Sequence, residues 1–161
     1  TGAAGAVGGF VLELAALRGL HTVAVARAED EPLVRALGAR EFVPAIDRLG
    51  SAIRAFVPGG VDAVIDAAVL GISAHDALRA EGTFVALVAL VAPFAPPPIR
   101  GTRVVTQEVW ADGARLHELA ALVDAQCLTL RVAHVLPLSE AREAHRLVEA
   151  GGLRGRVVLE P

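Results

Sequence analysis

Along the chain, compact apolar runs alternate with stretches whose apolar positions recur every three or four residues. Val7, Phe10, Val11, Leu14 and Leu17 follow the second spacing, which predicts a helix over 7–18 closed by Gly19. HTVAVAR, residues 21–27, is short and apolar and predicts a buried strand. The alternation continues with a helix over 32–37 stopped by Gly38, a strand over 41–44, and a helix over 48–56 ended by Pro58-Gly59-Gly60. A strand rich in β-branched residues follows over 61–68, then a helix over 72–78. GTFVALVAL, from Gly82, predicts a continuous apolar strand that runs into a proline loop over 93–98. The rest predicts a strand over 103–109, a helix over 112–125 capped by Asp112, and a strand over 130–136. A helix over 139–150, capped by Ser139 and ended by Gly151-Gly152, leads to a last strand over 156–159. Apolar strands alternating with helices belong to a parallel sheet covered on both faces, so the expected class is α/β, doubly wound.

Composition narrows the picture. A length of 161 residues suits one domain, with room for a piece of a second. The apolar residues are interrupted too often to give a run of about 18, so no membrane span is expected. A net charge of −3 gives no reason to expect nucleic acid. The single cysteine, Cys127, has no partner for an internal disulfide and fits a reducing cytoplasm. All 15 basic residues other than histidine are arginine, and Met and Tyr are absent. A first residue other than Met points to a piece of a longer chain.

The chemistry is concentrated in the opening stretch, TGAAGAVGGF. Gly2, Gly5 and Gly8 are three apart with small residues between them. In a doubly wound sheet of Rossmann type, the turn from the first strand to the first helix carries such glycines. One permits the tight turn, one lets backbone N–H groups approach a pyrophosphate, and the last lets the helix pack on the sheet. The helix start that follows would aim its free N–H groups at the phosphates, through Gly5, Ala6, Val7 and Gly8. The bland alternative is a tight packing turn. The end of the next strand selects the cofactor: an acid takes the ribose hydroxyls of NAD, and an arginine accommodates the additional phosphate of NADP. Arg27 stands there, nineteen residues after Gly8. The competing reading is a solvated strand-end arginine, and Glu29, Asp30 and Glu31 oppose a phosphate unless they turn away as the start of the next helix.

TGAAGAVG fits the T-G-x-x-G-x-x-G turn of short-chain dehydrogenases, but those require a catalytic Tyr and Lys, and neither residue occurs. The letters also resemble the G-A-x-G-x-V-G turn of medium-chain dehydrogenases/reductases of the quinone oxidoreductase (zeta-crystallin-like) branch. ALGAREFVP (36–44), GGVDAVIDAAVLG (59–71) and LRAEGTFVALV (78–88) resemble that family's third, fourth and fifth strands in order. LPLSEAREAHRLVEAGGLRGRVVLEP (136–161) resembles its closing segment, with Arg156 where Lys is common. The glycine expected at the end of the fifth strand is missing.

The resemblance implies a cofactor domain over 1–129, lacking its first strand and an N-terminal catalytic domain, and a segment over 130–161 that returns to that catalytic domain. It implies NADPH, with NADH the lesser alternative, and hydride transfer to a quinone or activated alkene without a protein metal. Cofactor contacts are then expected from Gly2, Gly5, Ala6, Val7, Gly8 and Arg27, and from the strand ends at Asp66, Ala68 and Val88. Asp66 reads equally as a cap for the neighbouring loop. Cys127 and five scattered histidines suggest no zinc cluster. Antiparallel pairing of strand 103–109 with its twin would give a homodimer. Trp110 would wall the nicotinamide pocket or fill a subunit contact. Two other readings remain: a non-catalytic NADP(H)-binding sensor or structural module, and an atypical short-chain-type regulator.

Overall fold

The computed structural model describes residues 1–87, 96–107 and 109–161. In chain order the elements are α1 (Ala6–Leu17), β1 (Val23–Ala26), α2 (Glu31–Ala36), β2 (Glu41–Pro44), α3 (Leu49–Phe56), β3 (Val61–Asp66) and α4 (Ile72–His75). They continue with β4 (Leu78–Ala86), β5 (Arg103–Thr106), α5 (Gly113–Asp124), β6 (Val132–Pro137), α6 (Ala141–Ala150) and β7 (Arg156–Glu160). Every ladder is parallel: β1 with β2, β3 with β4, β4 with β5, and β6 with β7. The expected α/β class and strand–helix alternation are therefore present.

The main sheet is in two parts, a β1–β2 pair and a β3–β4–β5 triplet. Among the described residues, only the first few make backbone hydrogen bonds to both. The backbone nitrogen of Thr1 donates to Ile65 O at 2.7 Å, and that of Ala3 donates to Val25 O at 3.1 Å. Beyond this bridge, β1 and β3 face each other across a cavity of about 450 Å³ lined by Val23, Ala24 and Val25 on one side and Val64 and Ile65 on the other. A sheet of order 3-2-1-4-5-6 without its central strand has this form.

Packing joins what the ladders do not. Side chains alternate across β1, so Val25 enters one core and Ala24 and Ala26 the other. The first core takes Val43 from β2, Val64 from β3 and Phe84 from β4 beneath Leu49 and Ile53 of α3, and so spans both parts. Phe84, Leu49 and Leu78 are fully buried. Burying each such side chain is worth about 1.5–3 kcal/mol, so this face supplies much of the cohesion between the halves.

Three expectations need correction. Strand β4 begins at Leu78 rather than Gly82, because the chain bulges: Val61 pairs Leu78 while Ala63 pairs Thr83, and Glu81 takes φ +61° at the kink. Ser139 does not cap α6; it lies in a 3-10 turn, Leu138–Glu140, closed by a backbone bond to Leu138 O. The strand expected over 103–109 ends at Thr106, although Gln107 N still donates to Ala86 O at 3.0 Å. The later part of the strand expected from Gly82, including Val88, lies outside the described residues. Asp112 does cap α5, accepting from Arg115 N at 2.9 Å. Among the described residues, no helix is long and apolar enough to cross a membrane.

His75 is wholly buried between α4 and the approach to β5. The Thr102 hydroxyl donates to Ile99 O at 2.7 Å, so its contact of 2.9 Å with His75 Nε2 requires that nitrogen to donate. Nδ1 is then a buried acceptor with no partner among the described residues. Burial first, and Arg100 second, hold the His75 pKa below 6.5 against the opposing pull of Asp76. The unfolded chain therefore takes up this proton first, and stability falls as pH drops from about 6.5 toward the lower folded value. Thermal unfolding at pH 7.5 and 5.5 should show a smaller acid-induced drop in Tm for His75→Gln than for the wild type, though the variant starts lower. An equal drop would remove His75 from the acid response.

Candidate cofactor-binding site

Gly2 adopts φ +64°, which a side chain would strain, and Gly5 N closes the turn on Gly2 O at 3.0 Å. A Cβ on Gly2 would press on Ala67 and Ala68 at 3.2–3.3 Å, so the turn lies directly against the end of β3. Gly8 is the closest contact: a Cβ there would stand 2.1 Å from Gly2 O and 2.8 Å from Ala3 Cα. Only hydrogen fits between α1 and the chain beneath it. The first intrahelical bond runs from Gly9 N to Gly5 O at 3.0 Å. The N–H groups of Ala6, Val7 and Gly8 precede it and have no helical acceptor. They form a positive helix start suited to an anion. At Gly5 a Cβ would meet only Gly2 O, at 3.1 Å. Gly2 thus makes the turn and Gly8 the close packing of helix on chain.

The strand ends converge on this turn. Asp66, buried at the end of β3, accepts from the Thr1 hydroxyl at 2.5 Å, from Leu70 N at 3.1 Å and from Gly71 N at 2.8 Å. Ala68 N donates to the Thr1 hydroxyl at 3.2 Å. Asp66 is therefore a loop cap, the alternative already recognised for it, and both its oxygens are engaged. Ala68 is brought against the glycine turn. Arg27 stands just past β1, exposed, with Glu29 Oε1 3.9 Å from its guanidinium.

Of the flanking acids, Glu29 stays beside Arg27, while Asp30 and Glu31 engage other arginines. Asp30 is buried in a 3-10 turn and accepts from Arg154 Nε at 2.5 Å and Nη2 at 2.8 Å. Glu31 pairs with Arg35 at 3.0 Å. Arg154 was not anticipated in the sequence, and neither was Arg131. Arg131 Nη1 donates to Ala4 O at 3.0 Å and Nη2 to Gly5 O at 2.7 Å, gripping the turn from the C-terminal segment. Gly9 leaves room for it, since a Cβ there would lie 2.1 Å from Nη2. Burial pulls the Arg131 pKa below its usual value, with Glu13 opposing. Glu13 also accepts from Thr129 N at 3.0 Å. Beside the first turn of α1, Ala6, Phe10, Arg131, Arg156 and Val158 line a cavity of about 210 Å³.

The unpaired N–H groups at the start of α1 are of the kind that suits a nucleotide pyrophosphate. Among the described residues, no three His, Cys, Asp or Glu side chains gather to hold an ion. Val88 lies outside the described residues. Trp110 is 77% exposed.

The comparisons agree with this geometry. An NAD-dependent alcohol dehydrogenase superposes with a TM-score of 0.83 at 26% identity, over 98% of this chain and 49% of its own. The quinone oxidoreductase from Coxiella burnetii gives 0.81 at 28% identity, over 98% of this chain and 50% of its own. A mycobacterial protein solved in complex with NADPH gives 0.75 at 26% identity, over 99% and 54%. The chain thus spans about half the length of these neighbours. No curated protein sequence matches it. The model of the zinc-binding dehydrogenases matches residues 37–159, most of the chain. With the glycine turn, parallel sheet and closing segment in place, the chain belongs to the zinc-binding dehydrogenase family, within the medium-chain dehydrogenase/reductase superfamily.

Proposed function

We propose that this chain is the cofactor-binding part of an NADPH-dependent oxidoreductase that transfers a hydride to a quinone or an activated alkene. The observation that carries the reading is Arg27, exposed at the end of β1 with a single acidic neighbour 3.9 Å away. In a sheet of this class that position faces the ribose, and an arginine there favours the additional phosphate. A quinone oxidoreductase and an NADPH complex among the structural neighbours support the same choice. Bound NADPH would supply the hydride. The chain's own groups bind and orient: the N–H groups of Ala6, Val7 and Gly8 take the pyrophosphate, and Arg27 takes the ribose phosphate. Family membership weighs against the short-chain reading. Turnover with a quinone or enone separates the enzyme from a non-catalytic sensor, since both would bind NADPH.

Two substitutions separate binding from folding at the turn. Gly5→Val should keep the fold and abolish NADPH binding in a fluorescence titration, because its branched side chain fills the approach to the backbone. Gly8→Ala should cost about 1–3 kcal/mol of stability or more, because its methyl group meets backbone that cannot yield. A Gly5→Val protein that binds NADPH as the wild type does would take the site away from this turn.

Arg27→Ala should weaken NADPH by about tenfold or more and NADH little, as expected for loss of a charge-assisted hydrogen bond of about 1.5–3 kcal/mol. Equal losses, or none, would assign the loop to NADH.

A homodimer through strand β5 and its continuation is also proposed. Among the described residues β5 pairs only with β4, and Val109 and Trp110 beyond it are 92% and 77% exposed. An uncovered edge invites a second strand, and two-fold pairing closes it. Because Gln107 N points to β4, alternation points the N–H groups of Val104 and Thr106 outward. Thr106→Pro removes one outward donor, leaves the β4 ladder intact, and should convert dimer to monomer in sedimentation. A monomeric wild type would exclude the dimer.

A further inference from the structure

The loop that would select the cofactor carries three consecutive acids, Glu29, Asp30 and Glu31, directly after Arg27. Left uncompensated, they would repel a ribose phosphate and offer acceptors to ribose hydroxyls instead. Each has an arginine. Glu29 lies 3.9 Å from Arg27, and Glu31 lies 3.0 Å from Arg35 on the next turn of α2. Asp30 is matched from 124 positions away, by Arg154 just before β7. That pair is bidentate, with both carboxylate oxygens engaged, and Asp30 keeps only 8% of its side chain exposed. Arg154 also donates to Gly152 O at 2.9 Å, which ties the guanidinium to its own turn.

We propose that Arg154 is a positioning residue for cofactor selection: it withdraws Asp30 from the ribose site and cancels its charge, so that Arg27 faces a phosphorylated ribose with Glu29 as its opposing acid. The inference rests on the reading of Arg27 given above. The bond to Asp30 raises the pKa of Arg154, and Glu29 adds to the rise, so the guanidinium balances more of the loop than its direct partner. Without Arg154, the carboxylate beside Arg27 would be free to accept from ribose hydroxyls, and selectivity would move toward NADH. Arg154, two residues before the final strand, thereby lets the C-terminal segment set a property of the loop after β1.

The test is the ratio of NADH to NADPH dissociation constants, measured by fluorescence titration on the full chain. Arg154→Gln should lower that ratio by about fivefold or more, as expected for one uncompensated charge near the site. Arg154→Lys should keep part of it. Because Arg154→Gln strands a buried carboxylate and costs stability, Asp30→Asn/Arg154→Gln is measured beside it. Removing the acid as well should restore the wild-type ratio to within about twofold, which a purely structural clamp would not do. If Arg154→Gln weakens both cofactors equally, or the double variant stays at the lowered ratio, the proposal is overturned. A wild type that prefers NADH, or an Arg27→Ala ratio that does not move, counts against the Arg27 reading alone, since the response to Arg154→Gln is still read. A wild type that binds neither cofactor overturns both.

Discussion

Helix α1 reaches the sheet only because residue 8 carries no side chain. A Cβ there would overlap Gly2 O, so the helix and the chain beneath it touch backbone to backbone. That contact fixes three things together. It holds Thr1–Ala3 in line between Val25 O and Ile65 O, which among the described residues is the backbone bridge between the two parts of the sheet. It keeps Gly2 in its left-handed turn against Ala67 and Ala68. It also sets the unpaired N–H groups of the first helical turn beside the carboxyl ends of β1 and β3. The site and the sheet's continuity are therefore one constraint. A side chain at residue 8 would strain the bridge and the helix start in the same step.

The C-terminal segment answers that constraint from outside. Its helix and strands share a small sheet of their own, yet two of its arginines reach back to the nucleotide region. Arg131 grips the carbonyls of Ala4 and Gly5, and Arg154 holds Asp30. Thr129 adds a bond to Glu13 midway along α1. Of these contacts, Arg131 holds the glycine turn directly, while Arg154 and Thr129 hold the loop after β1 and the middle of α1. The turn is thus held between Gly8 of α1 and the Arg131 guanidinium.

Much of this was legible in the sequence, because the legible parts are local. Strand β2 has the bounds read from its apolar run, and Asp112 caps α5 as its position before the helix implied. The glycine spacing located the turn, and Arg27 was placed at a strand end. What could not be read depends on distant partners. Residues 78–81, LRAE, look too polar to start a strand, yet β4 begins there because β3 and the Arg100 carbonyl supply partners across a bulge. Asp66 gave two equal readings, and only the positions of Thr1, Leu70 and Gly71 decide for a cap. Arg154 had no local signal at all, since its partner is an acid that periodicity assigns to another helix.

The uniform use of arginine deserves a physical reading, because the ion pairs are not equivalent. Arg35 with Glu31, Arg115 with Glu118 and Arg146 with Glu143 are helix-surface pairs at i,i+3 or i,i+4, with both partners exposed. Such pairs contribute little, being screened and costly in side-chain freedom. Arg154 differs because its acid is nearly out of water, where an unpaired carboxylate is expensive and a planar, bidentate donor is the best match. Arg131 differs again: it spends its fork on two carbonyls, Ala4 O and Gly5 O. A lysine in either place could not satisfy two acceptors in one plane. The arginines that matter to the site are thus distinguished by the burial and geometry of what they hold, and both come from the part of the chain farthest in sequence from the turn they support.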